Sequence, residues 1–288
     1  MDILVGTLLL ASMYALVAFA WVLMFKTTGI LNLATGAHLA IGAYLFDTFA
    51  TRWELPWAIT IAGWLVSGLA IAWVTQMGLF RRLAGQPEFV LVIATLGLAS
   101  LLKGVQSLTW GTDSRLIREP FRDEFYFLPG DAVISAYGIA TIGVAVVVFV
   151  ASGIFFSRTK IGVEMRVTAE HAILAAQSGI RVDRIYIIGW WIAFSIASLA
   201  GILYAYNTAL SPNMGDALGL RGIAPALVGG LDSIRGVIPG ALIVAFAEVV
   251  GVRLLGGQMQ DVTAWIVILA VLLIKPNGLF GSASVNRV

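Results

Sequence analysis

ILVGTLLLASMYALVAFAWVLMF, residues 3–25, is the stretch on which the fold turns. It carries no charged residue. A helix of roughly 20 such residues crosses the hydrocarbon core of a bilayer. Met1-Asp2 supplies no positive segment ahead of it, and no small-residue cleavage site is followed by a polar domain. The run is therefore expected to be a permanent transmembrane helix and not a secretory signal.

Runs of the same kind recur at about 27–50, 57–79, 89–110, 133–156, 185–208 and 237–255, with two shorter ones at 217–231 and 262–274. The composition agrees with them. Of 288 residues, 59% are hydrophobic and only 12% charged, and the mean hydropathy is +0.93. A soluble domain carries about 25% charged residues, so this chain has too few to clothe a surface in water. The expectation is an all-α, polytopic transmembrane bundle of eight or nine membrane segments, forming a single domain over 1–288. The two short runs are either tilted or partly re-entrant.

Charge sorts the loops. Arg81-Arg82 and the 157–184 loop, with Arg158, Lys160, Arg166, Arg181 and Arg184, are placed in the cytoplasm by the positive-inside rule. The 111–132 loop holds Asp113, Glu119, Asp123, Glu124 and Asp131 against three arginines and is placed outside. Strict alternation then gives nine crossings, with the N-terminus out and the C-terminus in. Eight crossings with the tail outside is the alternative.

Several functional classes drop out. A net charge of +2 without a basic stripe offers nothing to nucleic acid. With no cysteine there is no disulfide or thiolate chemistry, and His38 and His171 are too far apart to suggest a metal site. There is no G-x-x-x-x-G-K-[ST] phosphate loop, so the chain is not expected to hydrolyse ATP or to act as an enzyme. Neither paired acids nor a nucleophile–histidine set stands at a membrane face, which disfavours a lipid-modifying enzyme.

The 157–184 loop reads SRTKIGVEMRVTAEHAILAAQSGIRVDR. A short helix is expected in it, with Thr168 as N-cap, Glu170 in the first turn and Gly179 as the terminating residue. Ala169, Ala172 and Ala176, with Ala175 beside them, give it a small-residue face suited to a groove on another protein. The alternative is an amphipathic helix lying on headgroups, for which only Ile173, Leu174 and Ile180 supply bulk.

In this loop the pattern Arg158-Thr159-Lys160-x-Gly162, Met165-Arg166, Ala169-Glu170, Gly179-Ile180 and Asp183-Arg184 resembles that of LivH-type branched-chain amino-acid ABC-transporter permeases. Other stretches carry the resemblance along almost the whole chain. Asn32-Leu33-Ala34-Thr35-Gly36 followed by Gly42-Ala43-Tyr44 is similar to the family's N-F-A-H-G…G-A-Y. Gly219-Leu220-Arg221 with Gly229-Gly230, Ser233, Gly236 and Glu248 is similar to G-L-K…GG-x-GS-x-x-G…E, and Lys275–Gly281 to R-P-x-G-L-F-G. The chain departs from the pattern at Thr35 for histidine, Asp232 for glycine and Arg235 for proline.

The resemblance implies a type II-like ABC importer permease in a bacterial inner membrane. It would have no cofactor of its own, since ATP and magnesium would sit on two partner ATPase subunits. A second, LivM-like permease and a periplasmic solute-binding protein would complete the assembly. The resemblance also makes the loop helix a coupling helix, resting on Thr168, Ala169, Glu170, Ala172, Ala175, Ala176 and Gly179 with Arg158 and Arg166. The implied solute is a branched-chain amino acid, although relatives of similar pattern carry urea, short amides or aromatic acids.

Intramembrane polar residues are the remaining candidates. Asn32, Thr35 and His38 recur every three residues on the second span and either line a solute route or hydrogen-bond between helices. Glu248 lies deep in an apolar span, either on the route or tied to a neighbouring helix or a base. Lys103 is expected to snorkel outward, and Trp190-Trp191 to mark a membrane interface. An autonomous secondary transporter would need coupling carboxylates at midplane, and only Glu248 and Asp47 are available.

Overall fold

A computed structural model describes residues 3–117, 124–128 and 132–281 of the chain. The apolar runs become helices because a backbone in lipid must satisfy its own polar groups. They are α1 (Ile3–Thr28), α2 (Thr35–Asp47), α3 (Trp57–Val74), α4 (Glu88–Trp110), α5 (Ala136–Arg158), α6 (Lys160–Glu170), α7 (Ala172–Gln177), α8 (Val182–Asn207), α9 (Met214–Gly229), α10 (Val237–Leu255) and α11 (Gln260–Ile274). Single π-helical stretches, Thr48–Arg52 and Thr75–Phe80, prolong α2 and α3.

Among the described residues, seven of these helices, counted with their flanking turns, are long and apolar enough to cross a membrane: α1, α3, α4, α5, α8, α10 and α11. Burial separates centre from rim. The apolar window of α1 is 72% buried and that of α8 61%, against 11% for α4 and α5. A helix apolar on all sides and buried on all sides is a core helix. The outer helices turn Val146, Val147, Ile154, Leu101 and Leu269 outward instead, as a lipid-facing surface requires.

The second span departs from expectation. A continuous helix over 27–50 was expected, but α1 runs on to Thr28 and residues 29–34 are irregular. Gly29, at φ +70°, turns the chain, and α2 starts only at Thr35. Irregular backbone inside a membrane protein is stable only where its polar groups find partners. Here Ile30 N donates to Thr28 Oγ1, Leu33 N to Thr95 Oγ1 on α4, and Ala34 N to Asn32 Oδ1. The short run 217–231 becomes α9, approached in the same way by residues 208–213.

These two features belong to one repeat. α1 and α8 each have 26 residues, each is followed by an irregular approach, and each approach leads to a short helix. Thr27 packs against Gly189 at one face, while Ile3 and Asn207 share a cavity at the other. The two units therefore run in opposite senses. Gly36 and Gly215, the second residues of α2 and α9, meet where the short helices begin. A Cβ at Gly36 would lie 2.3 Å from Gly215 O, and one at Gly215 2.0 Å from Gly36 O.

The loops sort as their charges demand. Lys26 donates to Asp232 O at 3.0 Å, Arg81 pairs with Asp183 at 3.5 Å, and Leu279 N donates to Val228 O. The α1 end, the α3–α4 turn, the α8 start, the 230–236 turn and the tail thus share one face. On the opposite face Arg115 bridges to Leu210. The loop on that face is not wholly irregular, which qualifies the all-α expectation. Strand β1 (Phe125–Leu128) pairs antiparallel with β2 (Ala132–Ser135), Phe125 opposite Ser135. Ser135 then caps α5, accepting from Gly138 N at 3.0 Å, so α5 starts later than the expected 133. Glu119, Asp123 and Asp131 lie outside the described residues.

Candidate functional site

Three places hold the residues singled out from the sequence, and they are separate. The first is the α2 approach. Asn32, Thr35 and His38 do converge, around a space of about 10 Å³ closed by Ala20, Trp190, Phe194 and Ala197. That is room for about one water and for no solute. Asn32 Oδ1 accepts from Ala34 N, and Thr35 Oγ1 donates to Asn32 O at 2.7 Å. Both side chains therefore serve the backbone of their own turn. Asn32 Nδ2 lies 3.4 Å from His38 Nδ1, and the imidazole stands edge-on to Trp190 and Phe194. Trp190 is buried, stacked on Phe80 and bonded to Gln76 Oε1, which corrects its expected place at the membrane interface.

The second place is Glu248 on α10, 1% exposed. Tyr14 Oη on α1 donates to its Oε2 at 2.8 Å, and Gln260 Nε2 on α11 reaches the same oxygen at 3.3 Å. Of the roles open to it from sequence, it takes up hydrogen bonds from neighbouring helices. A cavity of about 680 Å³ opens beside it, between α1, α5, α10 and α11. Lys103 does not snorkel. It pairs with Asp216, in the first turn of α9. That acid was not singled out from the sequence, because the signal is the register of two helices far apart in the chain.

The third place is the arm α6–α7. Its local structure differs from the expected helix over 168–178. Thr159, not Thr168, caps the first helix, its Oγ1 accepting from Gly162 N at 3.0 Å. Thr168 is buried near the end of α6, and the helix breaks at His171, at φ −151° and ψ 88°. The termination is as expected. Gly179 at φ +84° lets Ile180 N donate to Ala175 O and Gly179 N to Ala176 O, a Schellman closure.

The break rotates the small-residue strip. Ala175 turns inward, Ala169 and Ala172 are half-buried, and Ala176 is exposed. The outward face belongs to Ile173 and Leu174, 77% and 55% exposed. Arg158, Arg166, Glu170 and Gly179 surround it at the surface. Two cavities undercut the arm, one of about 560 Å³ reaching Arg166 and Ala172, the other of about 880 Å³ reaching Ala176 and Asp183.

Among the described residues no group of three or more His, Cys, Asp or Glu is placed to hold a metal ion. What the arrangement offers is a membrane bundle with polar groups enclosed and one exposed apolar arm on the basic face.

The chain is 26% identical to the high-affinity branched-chain amino acid transport system permease protein LivH of Salmonella typhimurium, over 97% of this chain and 94% of that one. It is 26% identical to the corresponding protein BraD of Pseudomonas aeruginosa, over 99% and 97%. The autoinducer 2 import system permease protein LsrC of Photorhabdus luminescens is 30% identical over 54% of this chain and 46% of its own. The solved structure of PsaBC from Streptococcus pneumoniae in complex with Fab superimposes at a TM-score of 0.50 with 16% identity, over 96% and 93%, a likeness of fold alone. The model of the family described as branched-chain amino acid transport system / permease component matches residues 3–274, nearly the whole chain, and the protein belongs to that family.

Proposed function

We propose that the chain is the membrane-spanning permease subunit of a type II-like ABC importer that carries a branched-chain or related amino acid into the cell. It would cross the inner membrane nine times, with its N-terminus outside and the α6–α7 face in the cytoplasm. Transport is by alternating access, with no covalent chemistry on this chain. Two partner ATPase subunits bind ATP and magnesium, a second LivM-like permease completes the pathway, and a periplasmic protein delivers the solute. The arm carries this reading. Ile173 and Leu174 stand exposed at the tip of a helix pair on the basic face, flanked by Arg158, Arg166 and Glu170. Exposed apolar side chains on a polar face mark an interaction site.

The arm transmits ATP-driven closure of the ATPases to α5 and α8, between which it is strung. Ala169, Ala172, Ala175, Ala176 and Gly179 keep its turns slim, and Thr168 anchors it inward. Replacing Ile173 and Leu174 together by glutamate tests the assignment. Both are exposed, so insertion and folding are expected to survive, whereas leucine uptake should fall at least about tenfold, with ATP hydrolysis no longer tied to it. Uptake at the wild-type rate in that double variant would remove the arm from the mechanism.

A further inference from the structure

Between α3 and α8 a groove of about 880 Å³ opens on the face that carries the arm. Its two walls are tied at the surface and again at depth. At the surface Arg81, which follows the π-helical end of α3, pairs with Asp183 in the first turn of α8 at 3.5 Å. Further in, Trp191 Nε1 on α8 donates to Leu65 O on α3 at 2.9 Å. The groove follows the seam that these two ties define.

Its chemistry changes along that seam. The mouth holds three exposed arginines, Arg81, Arg181 and Arg184, and one lining acid, Asp183. Asp183 is taken by Arg81, and among the described residues neither Arg181 nor Arg184 has an ion pair. Below the mouth the lining is apolar, with Leu69 on one wall and Ile188 and Trp191 on the other. Trp191 lies about 10 Å from Arg184 along the axis of α8, against about 15 Å for one leaflet's share of the hydrocarbon core. Both walls belong to helices long and apolar enough to cross a membrane.

A space with such walls stays dry and is filled by hydrocarbon. The guanidinium groups at its mouth match phosphate oxygens with paired hydrogen bonds. A protein partner could cover the arginines but would leave the trough below headgroup level empty. Cations over an apolar trough are the complement of one molecule with an anionic head and an acyl tail.

We propose that this groove binds an anionic phospholipid of the inner leaflet. Arg181 and Arg184 hold its phosphate, and an acyl chain lies along Leu69, Ile188 and Trp191. Ala176 lines the same groove, so the bound headgroup stands against α7 of the arm. From the importer reading the inference takes only the placement of this face in the cytoplasm, which cysteine labelling at Ser178 reads independently.

For the test, the full chain is purified in mild detergent with the subunits that accompany it. Phosphatidylglycerol and phosphatidylcholine of identical acyl chains are offered in equal amounts, and native mass spectrometry counts the lipid retained. One tightly held phosphatidylglycerol is expected, preferred at least about tenfold over phosphatidylcholine. Arg181→Gln/Arg184→Gln should erase that preference, since each arginine near a headgroup contributes roughly fivefold. Arg52→Gln/Arg253→Gln, which removes the same charge from exposed positions on the opposite face, should leave it intact. Equal loss in both pairs, or no loss in the first, would overturn the proposal. Leu69→Trp fills the trough without touching the charges and should weaken retention at least about fivefold. Glycerophosphoglycerol, the same headgroup without acyl chains, should not compete at equal concentration. Unchanged retention in Leu69→Trp, or displacement by glycerophosphoglycerol, would make this a site for a free anion and overturn the lipid assignment. Retention by the chain alone that vanishes when its partner subunits are bound would make it a protein interface, and would overturn it too.

Discussion

At the residue scale, the bundle depends on side chains that are missing as much as on those present. Gly36 and Gly215 let the starts of α2 and α9 touch backbone to backbone, and a methyl group at either would sit inside the other's carbonyl. Relief would need one helix to move, which also disturbs the turns at Asn32 and Ser211 that launch them. Gly36→Val is therefore expected to lower the thermal midpoint of the detergent-solubilised protein by well over 5 °C, or to prevent its accumulation. Gly97 on α4 supplies the contrast, since nothing lies within 4 Å of a Cβ there. Gly97→Ala should leave the midpoint unchanged or raise it, because alanine is favoured by about 0.5–1 kcal/mol in a helix. Thermal unfolding of the pair, followed by fluorescence, checks both signs. The glycines were visible in the sequence, but their partners were not, because contact between distant helices leaves no local signature.

At the scale of elements, the 29–34 approach shows how a membrane protein tolerates a segment that is not helical. Thr95 on α4 is fully buried and serves it as an acceptor from Leu33 N at 3.1 Å, while its single hydroxyl hydrogen goes to Val92 O of its own helix at 2.7 Å. Thr95→Val keeps the shape and removes that acceptor, leaving the Leu33 N–H without a partner. The expected loss is about 1–3 kcal/mol. Thr95→Ser should recover most of it, and chemical denaturation of the three proteins in mixed micelles measures the difference. Hydropathy could not disclose the approach, since Ile30, Leu31 and Leu33 are as apolar as a helix would want. Only Gly29 and Asn32 hinted at a break. The arm failed differently. Its end was legible in Gly179, because a left-handed residue has a local cause. Its start and its break at His171 were not, because Thr159 and Thr168 are equally good caps on paper and tertiary packing buried one of them.

At the scale of the molecule, two units of opposite sense enclose their short helices and turn the remaining apolar surface outward. Charge sorts the loops to two faces, and this can be measured directly, since the chain has no native cysteine. Ser178→Cys, at the end of the arm, and Gln258→Cys, in the turn between α10 and α11, lie on opposite faces and are both exposed. A membrane-impermeant maleimide should label only the Gln258→Cys protein in intact spheroplasts and should reach the Ser178→Cys protein after lysis. Labelling of both from one side would refute the inside–outside assignment.

What the sequence determined by itself was the solvent of this protein, the sorting of its loops and its family. Those properties are written in composition, in the position of Lys and Arg, and in short motifs, each of which is local or additive along the chain. Tertiary structure alone decided the rest. It separated Glu248 from the Asn32–Thr35–His38 cluster, gave the former a cavity and the latter room for about one water, and paired Lys103 with Asp216. It also made two apolar runs half-length, α2 and α9, so that they meet at Gly36 and Gly215. The reason is physical. In lipid, apolar residues are interchangeable outside the core, so hydropathy reports where a segment dwells, while only backbone hydrogen bonding and close packing between distant helices decide where it turns.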